Sequence, residues 1–133
     1  RVLRREEIDY GRRPLETAQW AGAIDNVGGT MLTWLTRTTG FWGNIACVGL
    51  AGSHELQTTV MPFVLRGVNL LGINSTYTPR ELRLAVWQRI ATDLRPHNLE
   101  RICTRTIDLD ALPGAFQDYI DGSVLGRTVV RIG

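Results

Sequence analysis

The chain predicts an α/β fold, a parallel sheet with flanking helices, and three observations carry that prediction. Apolar runs at residues 21–26, 42–49 and 68–73 are too short for helices and suit strands buried on both faces. Stretches of helical pattern alternate with them, which calls for crossover connections and therefore parallel neighbours. Each run ends in small or polar residues: Asp25-Asn26 before Gly28-Gly29, then Gly49-Leu50-Ala51-Gly52, then Asn74-Ser75.

The elements follow in order. Residues 1–3 have the composition of a strand stub, residues 4–11 are charged, and Arg12-Arg13-Pro14 breaks any regular element. After the first buried run, residues 30–39 read as a helix. Met31, Leu32 and Leu35 form its apolar stripe, and Gly40 is placed as its stop. The second run has Ile45, Ala46, Cys47 and Val48 at its centre. Residues 53–59 are polar and loop-like. Residues 61–65 form a short helical turn, with Pro62 near its start where a missing N–H costs little.

After the third run, Thr78-Pro79-Arg80-Glu81 has the form of a capping box with proline at the first helical position. Leu82, Val86, Ile90 and Leu94 recur every fourth residue and so share one helix face, and Pro96 ends the helix. Residues 101–109 alternate as a strand with one solvated face. Leu112, Phe116 and Ile120 mark a further helix closed by Gly122, and residues 126–132 form a last strand.

Composition narrows the function. At 133 residues the chain fits one domain with a sizeable core. The net charge of +2 is too small to argue for nucleic acid or an anionic membrane surface. No apolar run reaches the roughly 18–20 residues of a membrane span, and the N-terminus has no signal-peptide pattern. All 15 basic residues are arginine, which excludes a Schiff-base or P-loop lysine within this chain. The sequence starts without Met, as expected of a chain that begins inside a longer protein. Cys47 and Cys103 make no metal or CxxC spacing, so a cytoplasmic location is the expectation.

In an open parallel sheet, ligands bind beyond the carboxyl ends of the strands. The three ends are visible here, but no GxGxxG phosphate turn follows any strand. His54 and His97 lack metal-ligand spacing and read as surface histidines. Asp108 and Asp110 read as a helix cap, and the four tryptophans as core or interface residues. Arg4 and Arg5 are either solvated or placed to meet a phosphate.

The strings WAGAIDNVGG, CVGLAG, TTVMPFVLRGVNLLGINS, TPRELRLAVWQRIATDL and GRTVVRI together resemble one family. They are similar to the C-terminal half of the quinone-oxidoreductase-like medium-chain dehydrogenase/reductases, in the acrylyl-CoA reductase branch. The resemblance runs from the first three residues to Ile132. It implies the second half of a Rossmann-type parallel sheet with flanking helices, plus a C-terminal strand-helix-strand segment. Residues 1–97 would be the later part of an NADP-binding domain. Residues 98–133 would return toward a GroES-like catalytic domain that this chain does not contain.

The implied parent is zinc-independent. It would use NADPH to deliver hydride to the β-carbon of an α,β-unsaturated thioester, with a quinone or another enal as the alternative acceptor. The phosphate turn and catalytic residues would precede Arg1, so the chain alone is expected to be inactive. Carried over by motif, the cofactor contacts are Arg5, Leu50, Val64 and Ser75, with no catalytic or metal-binding residue. A family asparagine falls on Gly122, where any side-chain bond is lost. The resemblance also implies a homodimer through the strand at residues 68–73, an apolar edge that would otherwise invite aggregation. The other exposed edge, at residues 21–26, predicts self-association. A stand-alone, non-catalytic interaction module acting through the 68–73 edge is the reading from a different functional class.

Overall fold

The computed structural model describes residues 2–132. These residues divide into two compact units, one up to Thr78 and one from Pro79 onward.

The first unit is a three-stranded parallel sheet in the order β1 (Trp20–Asp25), β2 (Thr39–Cys47), β3 (Asn69–Gly72). Ala23 pairs with Ile45, and Ile45 with Leu70. Helix α1 (Gly29–Thr38) joins β1 to β2, and the short α2 (Met61–Arg66) precedes β3. The core is Leu32, Trp34 and Leu35 of α1 with Ile45 and Val68. Tyr10 and Trp20 pack edge-on against the Trp34 ring, at centroid distances of 6.1 and 5.9 Å. Such edge-to-face contacts favour the aromatic quadrupoles beyond the area they bury.

Several sequence expectations change here. Val2 and Leu3 form no strand, and Arg1 lies outside the described residues. Residues Arg5–Glu7 make a single 3₁₀ turn instead, with the Arg4 N–H donating to Glu7 Oε2. Gly40 does not stop α1. The Thr39 N–H closes the helix on Leu35 O, the backbone of Thr39 is already extended, and Gly40 lies within β2.

The buried face of α1 is also wider than its apolar stripe. Thr33, Thr36 and Thr38 are buried too. Their burial is tolerated because each hydroxyl has a partner. Thr36 and Thr38 donate to the carbonyls of Thr33 and Trp34, at 2.7 and 2.9 Å. Thr33 Oγ1 accepts the Gln57 N–H at 3.1 Å, and Thr36 Oγ1 meets Thr58 Oγ1 at 2.9 Å. The 53–59 segment is therefore laced along α1.

β2 carries a wide bulge. Trp20 pairs with Thr39 and Gly22 with Asn44, so two steps along β1 match five along β2. Within it Trp42 has φ 60°, in the left-handed region where a bulky residue is unusual. Its ring lies over Gly67, where a side chain would overlap it. Trp42 is 78% exposed and Trp87 is 62% exposed, whereas Trp34 is buried and Trp20 half-buried. Only Trp20 and Trp34 meet the expectation of core placement.

The second unit contains α3 (Arg80–Ala91), α4 (Leu99–Ile102), β4 (Cys103–Asp108), α5 (Leu112–Ile120) and β5 (Arg127–Arg131). β4 and β5 pair in parallel, as the strand-helix-strand reading requires. The capping box does not form, because Pro79 holds the cap position without a side-chain bond. The Thr78 hydroxyl donates instead to Asn74 O at 2.7 Å, closing a turn that Asn74 Oδ1 also supports. α3 ends at Ala91, so Leu94 falls beyond it.

The stripe of Leu82, Val86 and Ile90 shares a helix face but is exposed, as are Phe116 and Ile120 of α5. Ala115 is the buried residue of α5. So short a unit has too little chain to cover these faces. Asp108 occupies a cap position without a capping bond, and its carboxylate lies 3.7 Å from Arg131 Nε.

Candidate functional site

The carboxyl ends of β1, β2 and β3 converge on one region of the first unit. Asp25, the last residue of β1, is 2% exposed. Its carboxylate accepts the Gly28 N–H at 2.8 Å and the Val27 N–H at 3.3 Å. The chain thereby turns sharply into α1. Gly28 and Gly29 have φ of 71° and 56°, a conformation that costs glycine little. A side chain at Gly28 would also overlap the Ser53 carbonyl.

The second glycine loop is stitched onto this turn. Asp25 O accepts from Val48 and Gly49, Asn26 O from Ala51, and Val27 O from Gly52 and Ser53. Gly28 and Ser53 then form an isolated parallel bridge. The end of β3 joins through the Ile73 N–H, which donates to Cys47 O at 3.0 Å.

Two cavities flank the Gly28–Ser53 bridge. The larger, about 570 Å³, is walled by the strand ends, including Cys47, Leu50, His54 and Ser75. That is the scale of a small-molecule site. The smaller, about 190 Å³, is lined by Arg5, Tyr10, Val27 and the start of α1. Gly28 and Ser53 line both.

The four residues carried over by motif are thus distributed unequally. Leu50 and Ser75 share the larger cavity, and Arg5 lines the smaller one. Val64 lies on α2, is 74% exposed, and lines neither. The structure adds residues that sequence reasoning left in a polar loop or the core: Ser53, His54 and Cys47. No pattern marks Ser53, because its place depends on hydrogen bonds between loops distant in sequence. Among the described residues, no group of three or more His, Cys, Asp or Glu could hold a metal ion, and no helix is long and apolar enough to cross a membrane. Both cysteines are free.

Known proteins share this fold. No protein-family model matches the chain. Acrylyl-CoA reductase AcuI of Ruegeria pomeroyi is 46% identical over 132 residues, covering 98% of this chain and 40% of that protein. YhfP of Bacillus subtilis, named as a quinone oxidoreductase, is 42% identical over the same length and is likewise covered over 40%. Its crystal structure with NAD bound superposes with a TM-score of 0.85 over 93% of this chain and 38% of that one. The YhdH oxidoreductase of Salmonella enterica, in complex with NADP, is 40% identical with a TM-score of 0.81, covering 98% of this chain and 40% of that one. The chain therefore spans about 40% of the length of the relatives it matches, and its parallel sheet is the C-terminal half of their Rossmann-type fold. On this evidence of sequence and fold, the chain belongs to the quinone-oxidoreductase-like medium-chain dehydrogenase/reductases.

Proposed function

We propose that this chain is the cofactor-binding C-terminal part of a zinc-independent NAD(P)H-dependent oxidoreductase. The observation that carries the reading is the groove across the strand ends, in a chain 42–46% identical to such proteins. The residues fit a dinucleotide. Gly28 and Gly29 let the Ser53 loop close against the β1 exit and so shape the groove between the two cavities, and an arginine stands at one end. When bound, a reduced nicotinamide would supply a hydride.

On this reading, Leu50 and Ser75 bind the nicotinamide half and Arg5 the adenosine-phosphate half. Val64 acts from α2 in the assembled enzyme. Leu50, with Val48 beside it, excludes water from the larger cavity, since both present exposed apolar side chains at its rim. Residues 1–97 complete a nucleotide domain, and residues 98–133 return to a catalytic domain.

NADPH is the proposed cofactor. The acceptor class is an electron-poor alkene or a quinone. Identity to AcuI favours an acrylyl-CoA-like thioester within that class, and identity to YhfP favours the quinone. The outer edge of the strand at residues 68–73 is the proposed homodimer contact, and the cytoplasm the proposed compartment.

The test uses the full-length protein that contains this chain. NADPH oxidation with acrylyl-CoA but not a simple quinone supports the thioester reading, and the reverse supports the quinone reading. Absence of turnover with both, under either cofactor, overturns the proposal. The isolated chain is expected to show no turnover, and micromolar NADPH binding by it in calorimetry would overturn its description as incomplete.

A further inference from the structure

Ser53 stands where the parts of the site meet. It lines the larger cavity, the smaller cavity, and a third of about 190 Å³ beneath Tyr10 and Trp34. Its backbone is fixed from two sides: its N–H donates to Val27 O at 3.3 Å, and it bridges to Gly28. Its Cβ is held close over Gly29. The side chain is therefore placed by backbone contacts to the β1 exit.

The hydroxyl has a defined polarity. Its oxygen accepts the Glu55 N–H at 3.1 Å. A serine hydroxyl carries one proton to donate besides its acceptor lone pairs, and the Ser53 proton has no acceptor among the described residues. A half-buried donor of this kind, packed onto Gly29 and lining the cavities on both sides of the bridge, is suited to an oxygen of a ligand crossing it.

We infer that the Ser53 hydroxyl donates a hydrogen bond to the dinucleotide where it passes from one cavity to the other, making Ser53 a cofactor-positioning residue. The inference rests on the dinucleotide reading above. It goes beyond that reading by assigning a contact on the crossing itself, to an oxygen acceptor of the phosphate-ribose bridge. Because Ser53 lines the larger cavity as well as the smaller one, what distinguishes this contact is its acceptor, an oxygen on the adenosine side of the bridge that a mononucleotide does not carry.

The experiment measures binding to the full-length protein by fluorescence titration, with NADPH, NADH and reduced nicotinamide mononucleotide, the last lacking the adenosine half. Ser53→Ala removes the donor and keeps Cβ. It is expected to raise Kd for both dinucleotides by about 3- to 10-fold, the worth of one hydrogen bond, and to leave the mononucleotide within about 2-fold. Ser53→Cys keeps the shape with a weak donor and is expected to show the same loss. Melting temperatures like that of wild type confirm that both variants fold. Dinucleotide Kd unchanged in both variants overturns the inference while leaving the dinucleotide reading intact. Equal weakening for the mononucleotide overturns the placement at the crossing. A wild-type protein that binds no dinucleotide overturns the reading and the inference together.

Discussion

Replacing Arg66 by alanine is expected to loosen the first unit. Arg66 is the last residue of α2, and its guanidinium donates to three backbone carbonyls from separate segments. Nη1 reaches Arg37 O at 2.9 Å and Thr39 O at 3.2 Å, and Nη2 reaches Glu16 O. One side chain thus ties the end of α1, the start of β2 and the loop before β1 to α2. A hydrogen bond from a charged donor is worth about 1.5–3 kcal/mol net. Arg66 is only half-buried, so water replaces part of what is lost. The Arg37 carbonyl also keeps the Glu16 N–H at 3.1 Å. The expected loss is therefore about 2–4 kcal/mol rather than the full sum, a shift of about 1–2 M in the urea midpoint for typical slopes. Equilibrium urea unfolding followed by circular dichroism measures it. Arg66→Lys is the control, because an ammonium is a point charge without the planar fork. It should recover less than half of the loss. A change below about 0.5 kcal/mol for alanine, or full recovery by lysine, would refute the stapling argument.

Other perturbations test the remaining supports. Ile45→Ala empties a fully buried position between β1 and β3, and should cost about 3–4 kcal/mol in urea unfolding, within the usual range for such deletions. Gly28→Ala adds left-handed strain and a clash with the Ser53 carbonyl, and should reduce both stability and dinucleotide binding of the full-length protein. Wild-type binding and melting in that variant would mean the turn is not as tight as described. The Arg13 side chain, through hydrogen bonds at 2.7 and 2.9 Å, holds the Glu16 carboxyl below its ordinary pKa. Its stabilising contribution is present above the ordinary carboxylate range and fades as pH falls through the depressed folded value. NMR titration of Glu16 should show that depression and its partial relief in Arg13→Ala, the backbone N–H donors of Arg12 and Arg13 remaining on the carboxylate.

Much of this was legible in the sequence because the signals are local. Runs such as 68–73, bounded by Gly67 and Asn74, mark strands without reference to anything else, but the expected burial on both faces fails, since Ile24, Leu71 and Ile73 stand exposed on a three-stranded sheet that so short a unit cannot cover. The strand ends followed from the same runs, and so did the region where the cavities lie. What failed to show depended on partners far along the chain. Thr33, Thr36 and Thr38 lie outside the apolar stripe of Met31, Leu32 and Leu35, yet they are buried because Gln57, Thr58 and carbonyls one turn back partner their hydroxyls. Thr78 carried every mark of a cap, but Asn74 captured its hydroxyl. The stripes of α3 and α5 were correctly periodic, but periodicity says which residues share a face and not whether anything covers it. Ser53 was invisible for the same reason as the threonines, since no local pattern encodes a bridge to Gly28.

The lacing of residues 48–58 onto the β1 exit and α1 sets how this region can vary. Val48, Gly49, Ala51, Gly52 and Ser53 each donate a backbone N–H to one of three consecutive carbonyls, those of Asp25, Asn26 and Val27. Gln57 and Thr58 are then docked on Thr33 and Thr36. A residue inserted between Val48 and Ser53 would throw every later partner out of step. Length is thus a constrained quantity along the stretch, even where residue identity is not. Room for growth begins only after Thr58, ahead of α2, where a longer loop would leave the groove unaltered.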